Sequence, residues 1–396
     1  DQPRSRGLGD VYKRQSLYRA IDNLSAEIFV VDNASVDDSE AYLTERFPRI
    51  TYIYNKENVG FARANNQAIR QAKGEYVLLL NPDTVLPEQT LEEALLFMDT
   101  HPCAGAAGVK MLTDDGRFLR ESKRGYPTLA ATFGKLSGLG KLFPRSKGLG
   151  GYYCNALDAD AIHRVEVLAG AFMLLRRSAL EKSGLLDEDF FMYGEDIDLS
   201  CRIEEAGYEN YYLPYPILHY KGESTSKDTY HHVRVFCGAM DIFFRKHGER
   251  YGLLGRWLVR IGIHLQMYIR LLMLSLRRIF SFPGKKAKVP FLKGQAFPRF
   301  LVFGEEATIH SLRGLFKRNG LIGKHHFVVA NEASVADGHA SPFISLKGFT
   351  HVVYDCRAFS FSTIIRLLSH HRKMGLRLGI YNPESRVLVT PEKCYL

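Results

Sequence analysis

The chain has 396 residues, 46% of them hydrophobic and 24% charged, with a net charge of +10. That length exceeds what one core usually serves, so two domains are expected, and the composition is that of globular protein rather than of a disordered or fibrous chain. The six cysteines (Cys103, Cys154, Cys201, Cys237, Cys356, Cys394) are scattered, with no Cys-x-x-Cys pair. This argues against a thiolate zinc site or a disulfide framework and for a reducing, cytoplasmic compartment. Charge is uneven: residues 221–300 hold 16 Lys/Arg against 4 Asp/Glu, a zone suited to nucleic acid, a phosphate-bearing substrate or an anionic membrane.

Residues 1–15 show neither strand nor helix periodicity and read as a non-native or disordered leader. Glu27 to Asp32 is a continuous apolar run ending in an acid, as expected of a buried strand that delivers Asp32 to a sheet's carboxyl edge. A helix pattern follows from Val36 to Phe47, then a strand at Ile50–Tyr54, a helix from Phe61 to Lys73 stopped by Gly74, and a strand at Tyr76–Leu80 closed by Asn81-Pro82-Asp83. A helix at Leu91–Met98 and a strand at Gly105–Met111 continue the alternation. Such alternation predicts a mostly parallel sheet with ligands outside the carboxyl ends of its strands.

Residues 112–165 are rich in Gly, Lys and Arg and are expected to be loops that cover or shape a site. Val165–Leu175 reads as a further strand, carrying Gly170, and Asp196–Ala206 as a helix stopped by Gly207. From Gly255 to Phe280 the chain is apolar but punctuated by arginines. At the helical period, Arg256, Arg260, His264, Gln266, Arg270, Arg277 and Arg278 fall within roughly 160° of arc. This cationic amphipathic helix either lies in the plane of an anionic bilayer or packs its apolar face on the catalytic domain. A Pro- and Lys-rich linker follows to residue 298. Strands at Arg299–Gly304, His326–Ala330, Thr350–Asp355 and Arg377–Asn382, with helices to Arg318 and near Thr363–Lys373, then predict a small Rossmann-like module without a G-x-G-x-x-G.

The runs Val30-Val31-Asp32-Asn33-Ala34-Ser35, Asn58-Val59-Gly60-Phe61-Ala62-Arg63-Ala64-Asn65-Asn66 and Leu80-Asn81-Pro82-Asp83 come first. Met192-Tyr193-Gly194-Glu195-Asp196-Ile197-Asp198 and His219-Tyr220-Lys221-Gly222-Glu223-Ser224 follow. Together, in this order, they resemble the family 2 glycosyltransferases, especially the rhamnosyltransferase-like branch. The resemblance implies a GT-A fold over residues 16–250, lacking the family's first strand. It is followed by the basic helix and linker (251–298) and the Rossmann-like α/β domain (299–396).

The implied reaction is an inverting transfer of a hexose or deoxyhexose, with dTDP-rhamnose as the foremost donor, to an acceptor hydroxyl in polysaccharide or lipid-linked glycan synthesis. The alternative is a catalytically inactive binding or scaffold protein on the same fold. The implied partners are a nucleoside-diphosphate sugar, a glycan or polyprenyl-linked acceptor and an anionic membrane at the inner face of the cell, with no nucleic acid.

By the same resemblance, Asp32, Asn33, Ser35, Asn58, Gly60, Asn65 and Asn81 serve donor nucleotide binding. Asp83, joined by His219, holds Mg²⁺ or Mn²⁺ beside the diphosphate, as oxygen-rich sites do. Asp196 is the general base with Glu195 beside it, while Gly170 and Asp198 belong to the acceptor side. Simpler readings stand next to these: Asp32, Asn33, Ser35 and Asn58 are good helix caps, Asn-Pro-Asp is a good turn, and the Glu195–Asp198 acids favour the first turn of a helix.

Overall fold

The computed structural model describes residues 15–35, 49–128, 142–143, 146, 151–220, 229–248, 252–280, 298–321, 323, 325–370 and 375–395. Residues 1–14 of the leader, the 36–47 helix pattern, most of the 281–298 linker and the Lys221–Ser224 part of the last motif lie outside the described residues. Residues 15–20 form a helical turn with Ala20 buried.

β1 (Ile28–Asn33) pairs in parallel with β2 (Ile50–Asn55), Asp32 lying opposite Tyr54. Helix α1 (Phe61–Ile69) leads to β3 (Tyr76–Leu80), the short β4 (Thr84–Val85), α2 (Thr90–Thr100) and β5 (Ala104–Leu112). After β6 (His163–Arg164) and β7 (Phe172–Arg176) come α3 (Arg177–Ser183), α4 (Glu195–Glu205) and β8 (Glu209–His219). The sheet order is β3-β7-β5-β8-β4, with β6 also on β8.

This sheet is mixed, not mostly parallel: β5–β8 is its parallel pair, while β3–β7, β5–β7, β4–β8 and β6–β8 run antiparallel. A parallel neighbour needs a crossover that returns the chain to its starting edge. Here the long 113–171 segment ends beside the site instead, and β7 enters between β3 and β5 in the reverse direction. The expected 165–175 strand is accordingly shorter, because Val165–Ala171 is spent on bridges and site contacts before pairing with β3 begins.

The sheet is buried on both faces. Leu91, Ala94, Phe97 and Met98 of α2 pack on Ala107, Val109, Leu213 and Ile217, and on the other face Ala62 and Ile69 of α1 join Leu199 and Ile203 of α4 over Val77, Leu79 and Met173.

Two helices follow, α5 (Tyr230–His247) and α6 (Gly252–Phe280). Val259 and Ile263 of α6 are buried against Val233, Cys237 and Phe244 of α5, and Arg260 is paired with Asp241 at 2.7 Å.

The C-terminal part consists of β9 (Phe300–Gly304), α7 (Glu306–Arg318), β10 (His325–Val329), α8 (Glu332–Asp337), β11 (His351–Asp355), α9 (Phe361–His370), β12 (Arg377–Asn382), β13 (Val387–Val389) and β14 (Cys394–Tyr395). Its sheet runs β10-β9-β11-β12-β13-β14, parallel through β12 and antiparallel thereafter. Leu301, Phe303, Ile364, Ile365 and Leu368 form one apolar core with Val85, Leu112 and Leu218 of the first sheet. The N-terminus of α9 is capped by Glu88, whose carboxylate accepts the Phe361 and Ser362 amides at 2.9 Å each.

Candidate active site

α4 begins where Gly194 takes a left-handed conformation (φ 87°), so Glu195, Asp196 and Asp198 fall in its first turn, where the helix's positive end favours carboxylates. Asp196 Oδ2 accepts from Arg124 Nη2 at 2.6 Å and from the Gly170 amide at 3.1 Å, and Oδ1 accepts from the Ile197 amide at 2.8 Å. Burial opposes the Arg124 charge, but the adjacent Asp196 outweighs it and holds the guanidinium above its ordinary value.

Glu195 differs from its neighbour. Burial, and next the charge of Asp196, push its carboxyl up to about 8, and its Oε2 has no hydrogen-bond partner among the described residues. It is therefore held mostly protonated at neutral pH.

Asp198 is engaged by Arg202 at 2.7 Å and by His247 at 2.7 Å. Burial would raise its pKa, but the His247 hydrogen bond and the Arg202 charge hold it below the usual carboxylate range. Oδ1 ties α4 to α5 through His247, and Oδ2 pairs within α4 to Arg202.

The segment before β7 connects the two halves of the site. Gly170 donates to Asp196, and the next residue's carbonyl, Ala171 O, accepts the Asn81 amide at 2.9 Å. A Cβ on Gly170 would stand in ordinary contact, 3.4 Å from Asp196 Cβ and 3.8 Å from the Phe61 ring, so the segment packs between α1 and α4. Asn81-Pro82-Asp83 turns the chain from β3 into β4, its Thr84 hydroxyl returning to Asn81 O.

Because β4 pairs with the end of β8, His219 stands beside this turn, its Nε2 3.1 Å from Asp83 Oδ1. Both side chains are buried, and His219 Nδ1 has no hydrogen-bond partner among the described residues. An oxygen and a nitrogen ligand on a Mg²⁺-like ion at about 2.1 Å sit about 3 Å apart when adjacent in an octahedron. The pair fits a hard divalent ion that completes its shell with water and phosphate oxygens. Among the described residues no third His, Cys, Asp or Glu joins it.

The nucleotide-side residues gather through Gly60 and the end of β1. Gly60 caps α1 at φ 87°; a Cβ there would lie 2.6 Å from Phe191 O, the carbonyl that accepts the Phe61 amide at 2.8 Å. The Asn58 side-chain Oδ1 accepts the Gly60 amide, and the Asn65 side-chain amide donates to Phe61 O. Asn33 donates to Gly60 O and accepts from Asn55. Asp32 accepts the Ser35 amide at 2.7 Å and the Tyr52 hydroxyl at 2.5 Å. Asp32 thus makes the turn itself, a part the sequence assigns equally to Asn33 or Ser35.

Arg124 and Tyr52 are the residues that sequence reasoning missed. Arg124 lies in an aperiodic segment 72 residues from the carboxylate it meets, and no local signal marks it. Tyr52 is visible only as an alternating strand residue.

Two family models and several known proteins match the chain. The "Glycosyl transferase family 2" model matches residues 12–184, and "Glycosyl transferase family group 2" matches 151–284. An N-acetylglucosaminyl-diphospho-decaprenol L-rhamnosyltransferase of Mycobacterium tuberculosis is 28% identical over 68% of this chain and 89% of its own length. Rhamnosyltransferase WbbL of Escherichia coli is 29% identical over 41% of this chain and 61% of its own. Among solved structures, a mannosyltransferase of Pyrobaculum calidifontis in complex with GDP-Man and Mn²⁺ is 18% identical, covering 69% of this chain and 84% of that one at a TM-score of 0.41.

Proposed function

Since the chain belongs to the family 2 glycosyltransferases, in their rhamnosyltransferase-like branch, we propose that it transfers a deoxyhexose, rhamnose from dTDP-rhamnose, with inversion, to a hydroxyl of a polyprenyl-diphosphate-linked glycan on the cytoplasmic side of the membrane. The observation that carries this reading is the Gly170–Ala171 segment, with Asp196 bonded to one residue and the Asn81–Asp83 turn to the next. That arrangement supports the reading because one short stretch of chain bonds both the proposed base and the turn of the proposed diphosphate site.

In the reaction, Asp196 accepts the proton of the acceptor hydroxyl while that oxygen bonds to the sugar's anomeric carbon. The bond from that carbon to the diphosphate breaks, and the nucleoside diphosphate departs with the electron pair. Arg124 and the Gly170 amide fix the carboxylate in orientation. Asp83 and His219 would hold Mg²⁺ or Mn²⁺, which would neutralise charge on the leaving diphosphate. Asp32, Asn33, Ser35, Asn58, Gly60, Asn65 and Asn81 shape the nucleoside side. Asp198 is structural: its side chain is 2% exposed and ion-paired with Arg202 and His247, whereas that of Asp196 keeps 16% of its surface open.

The test is turnover on N-acetylglucosaminyl-diphospho-polyprenol with a panel of nucleoside-diphosphate sugars, the product's anomeric configuration being read by NMR. Transfer from dTDP-rhamnose with inversion supports the reading. Retention of configuration refutes the base assignment. Donor binding without any transfer supports the scaffold alternative.

A further inference from the structure

α6 is built the wrong way out for a helix that only packs on its own protein. Val259, Ile263, Met267, Leu271 and Leu274 form the stripe that meets α5. A second apolar stripe points away from the body: Trp257, Leu258, Ile261, Leu265, Tyr268 and Leu272, continuing to Leu276, with Trp257 63%, Leu265 58% and Tyr268 64% exposed. At the helical period the centres of the two stripes lie roughly 160° apart, and the outer one occupies roughly 100° of arc. Arg260 and Arg270 fall on the body side at the helical period, Arg260 pairing with Asp241 while Arg270 is exposed. From Trp257 to Leu276 the exposed stripe is about 30 Å long at the helical rise.

We propose that this outer stripe is a membrane-docking surface that lies in the plane of an anionic bilayer, its large side chains among the acyl chains and the flanking cations at the headgroups. Three observations select this occupant. An apolar band of this length on a surface helix marks an interaction site rather than chance exposure. The opposite stripe and the Arg260–Asp241 pair fasten α6 along α5, so the helix presents one side to lipid and does not cross it alone, although Trp257–Leu276 is long and apolar enough by composition to do so. A second copy of the chain is the other apolar candidate. Its docking on this face would bring together two zones each carrying 16 Lys/Arg against 4 Asp/Glu over residues 221–300. Like charge disfavours that pairing, and an anionic surface complements it. The inference uses no step of the sugar-transfer reaction.

Trp257 is the chain's single tryptophan and sits on the stripe, so its emission reports the surface directly. The full chain is titrated with phosphatidylcholine vesicles, with and without phosphatidylglycerol, while flotation is measured in parallel. The expected result is a blue shift and co-flotation that are at least about tenfold stronger with phosphatidylglycerol and are lost in a Leu258→Asn/Leu265→Asn/Leu272→Asn variant of unchanged circular dichroism. Unchanged emission of folded protein with anionic vesicles overturns the proposal. So does a blue shift already present without lipid that rises with protein concentration alongside dimer formation, which would assign the stripe to a second copy. Equal binding to both vesicle types overturns the anionic part. A chain that docks but transfers no sugar separates this inference from the enzymatic one.

Discussion

Replacing Asp196 with Asn separates the chemical role of this carboxylate from its structural one. Asp196 meets a buried guanidinium at 2.6 Å and accepts two backbone amides, so the residue is part of the fold as well as the site. Asn keeps one acceptor oxygen and turns a donor towards either Arg124 or the Ile197 amide. The Arg124 charge then remains buried without its counter-ion, and removing one partner of a buried pair costs about 3–5 kcal/mol. Asp196→Asn is thus expected to lower stability markedly as well as to cut turnover by ~10² or more.

Removing the stranded charge distinguishes the two losses. In Arg124→Met/Asp196→Asn the buried cation is gone, so urea unfolding should show less destabilisation than the sum of the single variants, with a coupling of about 0.5–3 kcal/mol. Turnover should stay lost in the double variant, because no base has been restored. The reasoning fails if Asp196→Asn unfolds at the wild-type urea midpoint, which would mean the pair carries no net energy. It fails on the chemical side if either Asn variant turns over donor like the wild type, and Glu195 would then be the group to test.

Glu195→Gln should remove a pH dependence: with the folded carboxyl raised from 4.5 to about 8, the native state binds the extra proton. Wild-type stability therefore falls as pH rises from about 5 to about 8, by up to about 1.4 kcal/mol per pH unit, and urea melts of the Gln variant should lack this slope. Asp83→Asn should weaken Mn²⁺-dependent dTDP-rhamnose binding in calorimetry without changing the metal-free signal, and equal Mn²⁺ dependence in both proteins would count against the Asp83–His219 site. Gly60→Ala forces a Cβ to 2.6 Å from Phe191 O at a positive φ, so a loss of at least about 1–3 kcal/mol with weakened donor binding is expected, and wild-type melting would contradict it. Glu88→Ala removes the cap that accepts the Phe361 and Ser362 amides and should raise hydrogen exchange at the start of α9 while costing about 0.5–2 kcal/mol.

Periodicity located most of the regular elements because their signals are local. Arg377–Asn382 matches β12 residue for residue, and Glu306–Arg318 ends where expected. β8 was not read, and its two prolines explain why: Pro214 and Pro216 cannot give ladder hydrogen bonds, so the run looks unlike a central strand. The structure accommodates them at a bulge, where Val109 opposes Leu213 and the next residue, Lys110, opposes Pro216.

The site divides in the same way. Asp196 is legible through the resemblance of Glu195-Asp196 to the family's acidic pair, with the other motifs in order, and Asn81-Pro82-Asp83 because it ends an apolar strand at the family's Asp-x-Asp position. Arg124, and the hydroxyl of Tyr52 on Asp32, depend on tertiary proximity and leave no periodic trace. Which side of α6 the protein covers stays open in the sequence for a related reason: composition shows that a helix has two unlike faces, but only the packing on α5 shows which one the protein itself covers.

The described residues of the C-terminal sheet include none of the proposed site residues, yet its core is continuous with that of the first sheet. Val85, Leu112 and Leu218 are all essentially fully buried, and they share their core with β9, β11 and α9. Burial of an aliphatic side chain is worth about 1.5–3 kcal/mol, so these three positions would lose a large part of that if the module were removed. Leu218 precedes His219, and Val85 is two residues beyond Asp83, on strands whose pairing sets the two side chains 3.1 Å apart. Deleting residues 299–395 is therefore expected to abolish Mn²⁺-dependent donor binding even though no ligand is removed, while leaving the Asp196–Arg124 side of the site held by β7 and α4. A truncated protein that folds and binds Mn²⁺ and donor as the whole chain does would show that β4 and β8 hold the metal pair unaided.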